Sequence, residues 1–189
     1  MHPTRAQILQ TAPAIFARSG FAGASTRQLA QAAHVNIATL AYHFGDKQGL
    51  YEAAIDHVYG TLLRTPLPRL AQPEPMDRLA ALVEAVYTAA LDQRDGIRLL
   101  LRHVIAEGAL PAAVTQRWSA PLMARVQQLL DKVGLPEADP LTLLSLNHLV
   151  ARYAVSEPED IARFAGDADP HQAVVAHLTA IAAAQLGFS

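Results

Sequence analysis

Apolar residues recur at helical spacing along almost the whole chain, and alternating β-branched runs are missing, so every predicted element is a helix. Ile8, Ala12, Ile15 and Phe16 share one face of a first helix over about Arg5–Arg18. Thr4 with Gln7 three residues on has the spacing of a capping box, Gly20 is a suitable stop, and Pro13 is expected to bend the stretch. Ser25 with Gln28 opens a second helix carrying Leu29, Ala30 and Ala33. His34-Val35-Asn36 reads as a tight turn, and Asn36 caps a third short helix from Ile37 to about His43. Asp46 then caps a longer fourth helix whose apolar side is Leu50, Tyr51, Ala54, Ile55, Val58 and Leu62.

The pattern continues after a proline-rich linker of Pro66, Pro68, Pro73 and Pro75. Helices are expected over Asp77–Leu91, Asp95–Glu107 and from Pro111 to Lys132, the last kinked or divided at Pro121. Further helices should start at Pro140 (to about Val155), after Pro158, and at Pro170 (to about Leu186). The expected fold is all-α, with an N-terminal three-helix domain over 1–46 and a C-terminal helical domain over 47–189. Helix four, about 47–64, links them.

Charge changes the picture more than composition does. The formal net charge is −2, yet residues 1–50 hold Arg5, Arg18, Arg27 and Lys47 against Asp46 alone. That end is therefore +3 and the remainder −5, which puts the basic surface where phosphate could be met. The chain has no cysteine, which excludes disulfides, thiolate metal sites and thiol nucleophiles. No apolar run approaches the roughly 20 residues of a membrane span, and the N-terminus lacks the pattern of a signal peptide, so no membrane association and a cytoplasmic location are expected.

Two short helices joined by a tight turn after a longer helix outline a helix-turn-helix, in which the second helix of the pair enters the major groove. Here that recognition helix is Ile37-Ala38-Thr39-Leu40-Ala41-Tyr42-His43, with Leu40 and Phe44 as apolar anchors. The run from Ser25-Thr26-Arg27-Gln28-Leu29-Ala30 through Ala33-His34-Val35-Asn36 and the recognition helix to Phe44-Gly45-Asp46-Lys47 resembles the DNA-binding domain of the TetR family of bacterial repressors. The resemblance covers roughly residues 4–55. It implies phosphate contacts from Thr26, Tyr42, His43 and Lys47, a backbone or groove-edge contact from Arg27, and base-edge or thymine-methyl contacts from Ile37, Ala38 and Thr39. It also implies a homodimer on palindromic operator DNA and a small-molecule effector. Ala41 stands where the family often has tyrosine, and His34 replaces the turn glycine. Histidine tolerates a left-handed backbone better than most residues. Packing on helix one is the alternative reading of Tyr42, and an ordinary surface charge that of Lys47.

Tyr87, His103, Trp118 and Asn147 are polar-edged residues within otherwise apolar helices and are candidate ligand-binding residues. Core packing is the alternative for each. His103 and Glu107, four apart, could present two metal ligands, but further ligands would have to come from elsewhere, such as His148 or Asn147, so neither a metal nor a cofactor is expected. Arg98 and Arg102 share that spacing and could meet an acidic group, or simply face water. Residues 140–155 and 170–186, with Leu141, Leu144, Leu146, Leu149, Val174, Leu178 and Ile181, form the expected dimer surface. A helical enzyme using His103 and Glu107 is the competing function, and a helical interaction module that does not touch DNA is another. No nucleophile, phosphate loop or paired-carboxylate motif supports catalysis, so the chain is expected not to be an enzyme.

Overall fold

The computed structural model describes residues 3–65, 69–72, 74–134 and 138–187. Among them lie α1 (Pro3–Gly23), α2 (Thr26–Ala32), α3 (Ile37–Phe44), α4 (Lys47–Arg64) and α5 (Pro75–Asp92). They are followed by α6 (Arg94–Glu107), α7 (Ala112–Val133), α8 (Pro140–Val155), α9 (Pro158–Ala165) and α10 (Pro170–Leu186). The helices form two compact units, one of residues 1–64 and 95–119, the other of residues 65–94 and 120–189. A division at residue 46 would cut α4 from α1, whereas by packing α4, most of α6 and the start of α7 belong with the first three helices.

The first unit closes over one core. α1 contributes Ile8, Leu9, Ala12, Ile15 and Phe16, which meet Leu29, Ala30, Leu40, Leu50, Tyr51 and Ile55 from the next three helices. Leu99 of α6 and Val114 of α7 complete it. Phe16 is fully buried, and its ring stands edge-on to Tyr51 at 4.9 Å. Burial of each such side chain stabilises the fold by about 1.5–3 kcal/mol. α6 approaches α4 closely because Gly96 has no side chain: a Cβ there would lie 2.7 Å from Val58 Cγ1.

In the second unit α5, α8 and α10 pack on one another, and α9 lies against α10. Leu79, Ala182 and Ala183 form a buried cluster with Val83, Leu146 and Leu186 against it. Val174 and Leu178 are buried as well, so these two members of the expected dimer surface belong to the subunit's own interior. The i, i+4 repeat that aligns them on α10 also aligns Ala176, Ala180 and Ala184, and these three are exposed.

Several local expectations need correction. α1 begins at Pro3, which puts Thr4 inside the first turn and releases Gln7 from capping; Gln7 Nε2 instead donates to Ala33 O at 3.0 Å. Gly20 does interrupt the helix as expected, with non-helical φ 69° and ψ 174°, and a further short helical stretch follows it to Gly23. A Cβ at Gly20 would touch the Arg102 guanidinium at 2.9 Å, so this residue also makes room for α6. Pro121 lies within α7 without dividing it. Residues 115–117 and 119–121 are exposed, so a carbonyl that loses its donor there can be hydrated. Pro75 opens α5, while Pro66, Pro68 and Pro73 fall outside the described residues.

His34 takes φ 52° in the tight turn between α2 and α3, and is the one described non-glycine residue with positive φ. A β-branched side chain is strained there by about 1–2 kcal/mol. His34→Val should therefore lower stability by about 1 kcal/mol, and His34→Gly should stay within about 0.5 kcal/mol of the parent. Urea unfolding of the three proteins checks the order; a glycine variant weaker than the valine one would contradict it.

Candidate nucleic-acid interface

The helix pair is built by local side-chain caps. Ser25 Oγ accepts from Gln28 N at 3.1 Å, and Gln28 Oε1 accepts from Ser25 N at 3.0 Å, a complete capping box on α2. Val35 N donates to Ala30 O at 2.9 Å across the His34 turn. Asn36 Oδ1 caps α3 by accepting from Thr39 N at 2.7 Å and from Thr39 Oγ1 at 2.9 Å. With its proton given to Asn36, the Thr39 hydroxyl keeps an acceptor and a methyl group for whatever approaches. Asp46 Oδ1 accepts from Gly49 N at 2.8 Å and starts α4.

Leu40 is buried and anchors α3, which turns the opposite side of the helix outward. Ile37 is 47% exposed and Tyr42 85% exposed, with Ala38 and Ala41 also exposed. Tyr42 therefore does not pack on α1; its described ring contact is edge-on with His43 at 5.1 Å. Thr26 and Arg27 are exposed at the start of α2, and Thr39 and His43 are half-buried. Arg5 lies over the Phe44 ring at 5.1 Å, which holds the end of α3 against α1.

Lys47 has a role that the sequence does not display. Its Nζ donates to Phe21 O at 2.9 Å and to Ala24 O at 3.1 Å, and sits 4.5 Å from the centre of the Phe21 ring. The ammonium thus satisfies carbonyls at the end of α1, where the helix leaves its last acceptors open, and ties α1 to the start of α4.

The four candidate ligand residues divide between the two units, His103 and Trp118 in the first and Tyr87 and Asn147 in the second. Tyr87 is buried in the second unit with its ring 5.2 Å from that of His171, and Asn147 is exposed on α8. Trp118 donates its indole N–H to Asp56 Oδ1 at 2.8 Å, and Arg117 Nη1 donates to Asp56 Oδ2 at 2.7 Å. A Cβ on Gly60 would lie 2.7 Å from Trp118 Cζ2, so the indole lies directly on the α4 backbone. These contacts fix the start of α7 on α4 within the first unit.

His103 lines a cavity of about 580 Å³ within the first unit. Its walls include Phe21, Tyr51 and Glu52, with Arg102, Glu107 and Leu110. His103 is 8% exposed, and its Nδ1 lies 3.2 Å from the Tyr51 hydroxyl. Burial pushes the Tyr51 phenol above its ordinary pKa, the Glu107 charge adds to this, and Arg102 opposes it, so the phenol keeps its proton and can donate to the imidazole. No group of three potential metal-ligating side chains occurs among the described residues. The sequence reading missed Phe21, Gln48 and Glu52 as cavity residues; the i, i+4 pair Gln48–Glu52, bonded at 2.8 Å, is the one local signal.

Residues 8–54, which run from α1 into α4, match the family profile of the bacterial regulatory proteins, tetR family. The chain is 28% identical over 145 residues to a Bacillus subtilis protein named probable HTH-type transcriptional regulator YttP, covering 74% of this chain and 69% of that one. It is 33% identical over 87 residues to the HTH-type transcriptional regulator BetI of Paraburkholderia phytofirmans, covering 45% of each. The fold is similar to SCO4942 from Streptomyces coelicolor, with a TM-score of 0.67, 25% identity, and coverage of 96% of this chain and 97% of that one. The TetR family regulator PfmR from Thermus thermophilus shares the fold at a TM-score of 0.64 and 18% identity, over 92% and 96% of the two chains. No helix among the described residues is long and apolar enough to cross a membrane. The profile match across the capped helix pair, the related regulators and the shared all-helical architecture agree: residues 8–54 carry the helix-turn-helix of the bacterial regulatory proteins, tetR family, and the chain is similar in sequence and fold to transcriptional regulators.

Proposed function

We propose that the protein is a dimeric repressor that binds palindromic operator DNA and is released from it by a small, largely apolar molecule. The observation that carries the DNA-reading part is the outward side of α3, where Tyr42 is 85% exposed at the end of a helix whose other side is anchored by Leu40. Such exposure of a tyrosine has no packing rationale and suits a phosphate or groove contact. Ile37, Ala38 and the Thr39 methyl offer apolar contact to thymine methyl groups, and the Thr39 oxygen can accept from a base amine. Thr26, Arg27, His43 and Lys47 are the proposed backbone contacts. Exposed Leu141 and Leu144 on α8, with the exposed alanines of α10, support pairing through 140–155 and 170–186. The test is a gel shift and footprint on the DNA upstream of the protein's own coding sequence. Two-fold symmetric protection with half-sites about one helical turn or its multiples apart is expected, and a single monomer footprint would refute the dimeric reading.

Lys47→Ala separates its two roles. Losing two charge-assisted hydrogen bonds at a half-buried site should cost about 1–2 kcal/mol of stability. Losing a phosphate contact should weaken DNA binding for all sequences and lower the salt slope by about one. Thermal unfolding and affinity over a salt series read the two effects separately. An unchanged slope with reduced stability would confine the lysine to tying α1 and α4.

A further inference from the structure

The cavity of the first unit differs from an accidental gap in what lies on its walls. At about 580 Å³ it falls within the roughly 300–1,000 Å³ of ligand pockets. Its apolar lining includes Phe21, Ala106, Leu110 and Pro111. The lining also holds a polar group, His103, which is more than nine-tenths buried and whose Nδ1 is partnered by the Tyr51 hydroxyl. With the phenol donating to Nδ1, an imidazole carrying one proton holds it on Nε2, which makes no hydrogen bond to another described residue. His103 is one of the residues that line the cavity, so this nitrogen offers an occupant an open hydrogen-bonding position.

Charge decides the kind of occupant. Two carboxylates, Glu52 and Glu107, line the cavity against one guanidinium, Arg102. Arg102 is turned to α1, where its Nη1 donates to Ala17 O at 3.4 Å and Arg18 O at 3.5 Å. Glu52 accepts from Gln48, and Glu107 has no hydrogen bond or ion pair with a described residue. The free groups are thus carboxylate acceptors, which favour a cation and repel an anion. We infer that this cavity binds a small organic amine with an apolar or aromatic body, its ammonium on Glu107 and Glu52 and its body against Phe21 and Leu110.

A consequence for regulation rests on the proposed ligand-responsive function. Phe21 is a wall of the cavity and also the residue that holds Lys47, through its ring and its carbonyl. An occupant pressing on Phe21 acts on the first residue of α4, three positions beyond the end of the recognition helix. The ligand can shift DNA binding only by as much as it prefers one arrangement of Phe21 and Lys47 over another.

Isothermal titration of the full chain with benzylamine, benzoate and benzyl alcohol tests the site. Benzylamine should bind saturably and about tenfold or more tightly than the other two. Glu107 is exposed, so Glu107→Gln should fold and cut benzylamine affinity about tenfold while sparing benzyl alcohol. Ala106→Trp, also at an exposed position, should fill the cavity and remove binding of all three. Benzoate binding as tightly as benzylamine, or benzylamine binding unaltered in both variants, would overturn the proposal. Gel shifts with the same proteins separate the regulatory consequence. If benzylamine binds in the Glu107-dependent way yet leaves the DNA complex intact, the site stands and its regulatory role falls. If another compound releases DNA equally from the parent and from Ala106→Trp, ligand response stands and this cavity is not its origin.

Discussion

Ala180→Arg is expected to leave the subunit folded, to convert the proposed dimer into monomers, and to lower affinity for a symmetric DNA site by about 10²–10⁴-fold, the gain that linking two binding modules supplies. Ala176, Ala180 and Ala184 form an exposed stripe of small side chains on α10, next to which the same helix buries Val174 and Leu178 in its own unit. Small residues allow helix backbones to approach closely, and a two-fold axis brings each such position near its own copy. An arginine at Ala180 then places a long charged side chain opposite another, in a contact with no acidic partner supplied by the substitution. On an isolated subunit the same arginine simply faces water, so stability should change by less than about 0.5 kcal/mol. Sedimentation equilibrium measures the mass and a gel shift the affinity. A variant that remains dimeric would move the interface away from this side of α10.

Gly49→Ala should be the most damaging single methyl group in the first unit. A Cβ at Gly49 would stand 2.2 Å from the backbone oxygen of Phe44, a contact that no side-chain rotation can relieve. Either the end of α3 or the start of α4 has to move, and the Asp46 cap on Gly49 N moves with it. A loss of about 2–3 kcal/mol is expected, together with weaker DNA binding, because the displaced segment carries Tyr42 and His43. Gly23→Ala is the control: its nearest neighbour would be Ser19 Cβ at 3.5 Å, an ordinary contact. Urea unfolding should leave Gly23→Ala within about 0.5 kcal/mol of the parent. An unfolding midpoint for Gly49→Ala equal to that of the parent would show that the junction is not tight.

What could be read in the sequence was whatever is local. The apolar faces of α1 to α4 repeat with the helical period, and residues such as Phe16, Leu29, Leu40 and Ile55 are buried accordingly. Ser25, Asn36 and Asp46 act within three residues of themselves, so their caps were visible in the spacing. The contacts that define the cavity and the α1–α4 tie leave no period. Lys47 reaches carbonyls 26 and 23 residues away, Tyr51 pairs with His103 across 52 residues, and Trp118 with Asp56 across 62. Polar-edged residues in apolar helices were recognisable as a class, but the class could not say that Trp118 would bind α4 and Tyr87 would lie in another unit. Helix starts marked by Pro140, Pro158 and Pro170 were legible because proline acts through its own ring.

The first unit is discontinuous in the chain, and that limits how the protein can be recombined. A chimeric regulator joined after residue 64 would carry α1–α4 but would lose Leu99 and Val114 from the core, the Arg102 contact at Gly20, and the His103 partner of Tyr51. The transplanted piece would expose an apolar strip along α4, including the Val58 surface that Gly96 covers. A graft that keeps the reading head intact has to bring residues 95–119 with it. If the outward residues of α3 read DNA as proposed, exchange of specificities within this architecture is a matter of replacing them in place rather than moving residues 1–64 as a cassette.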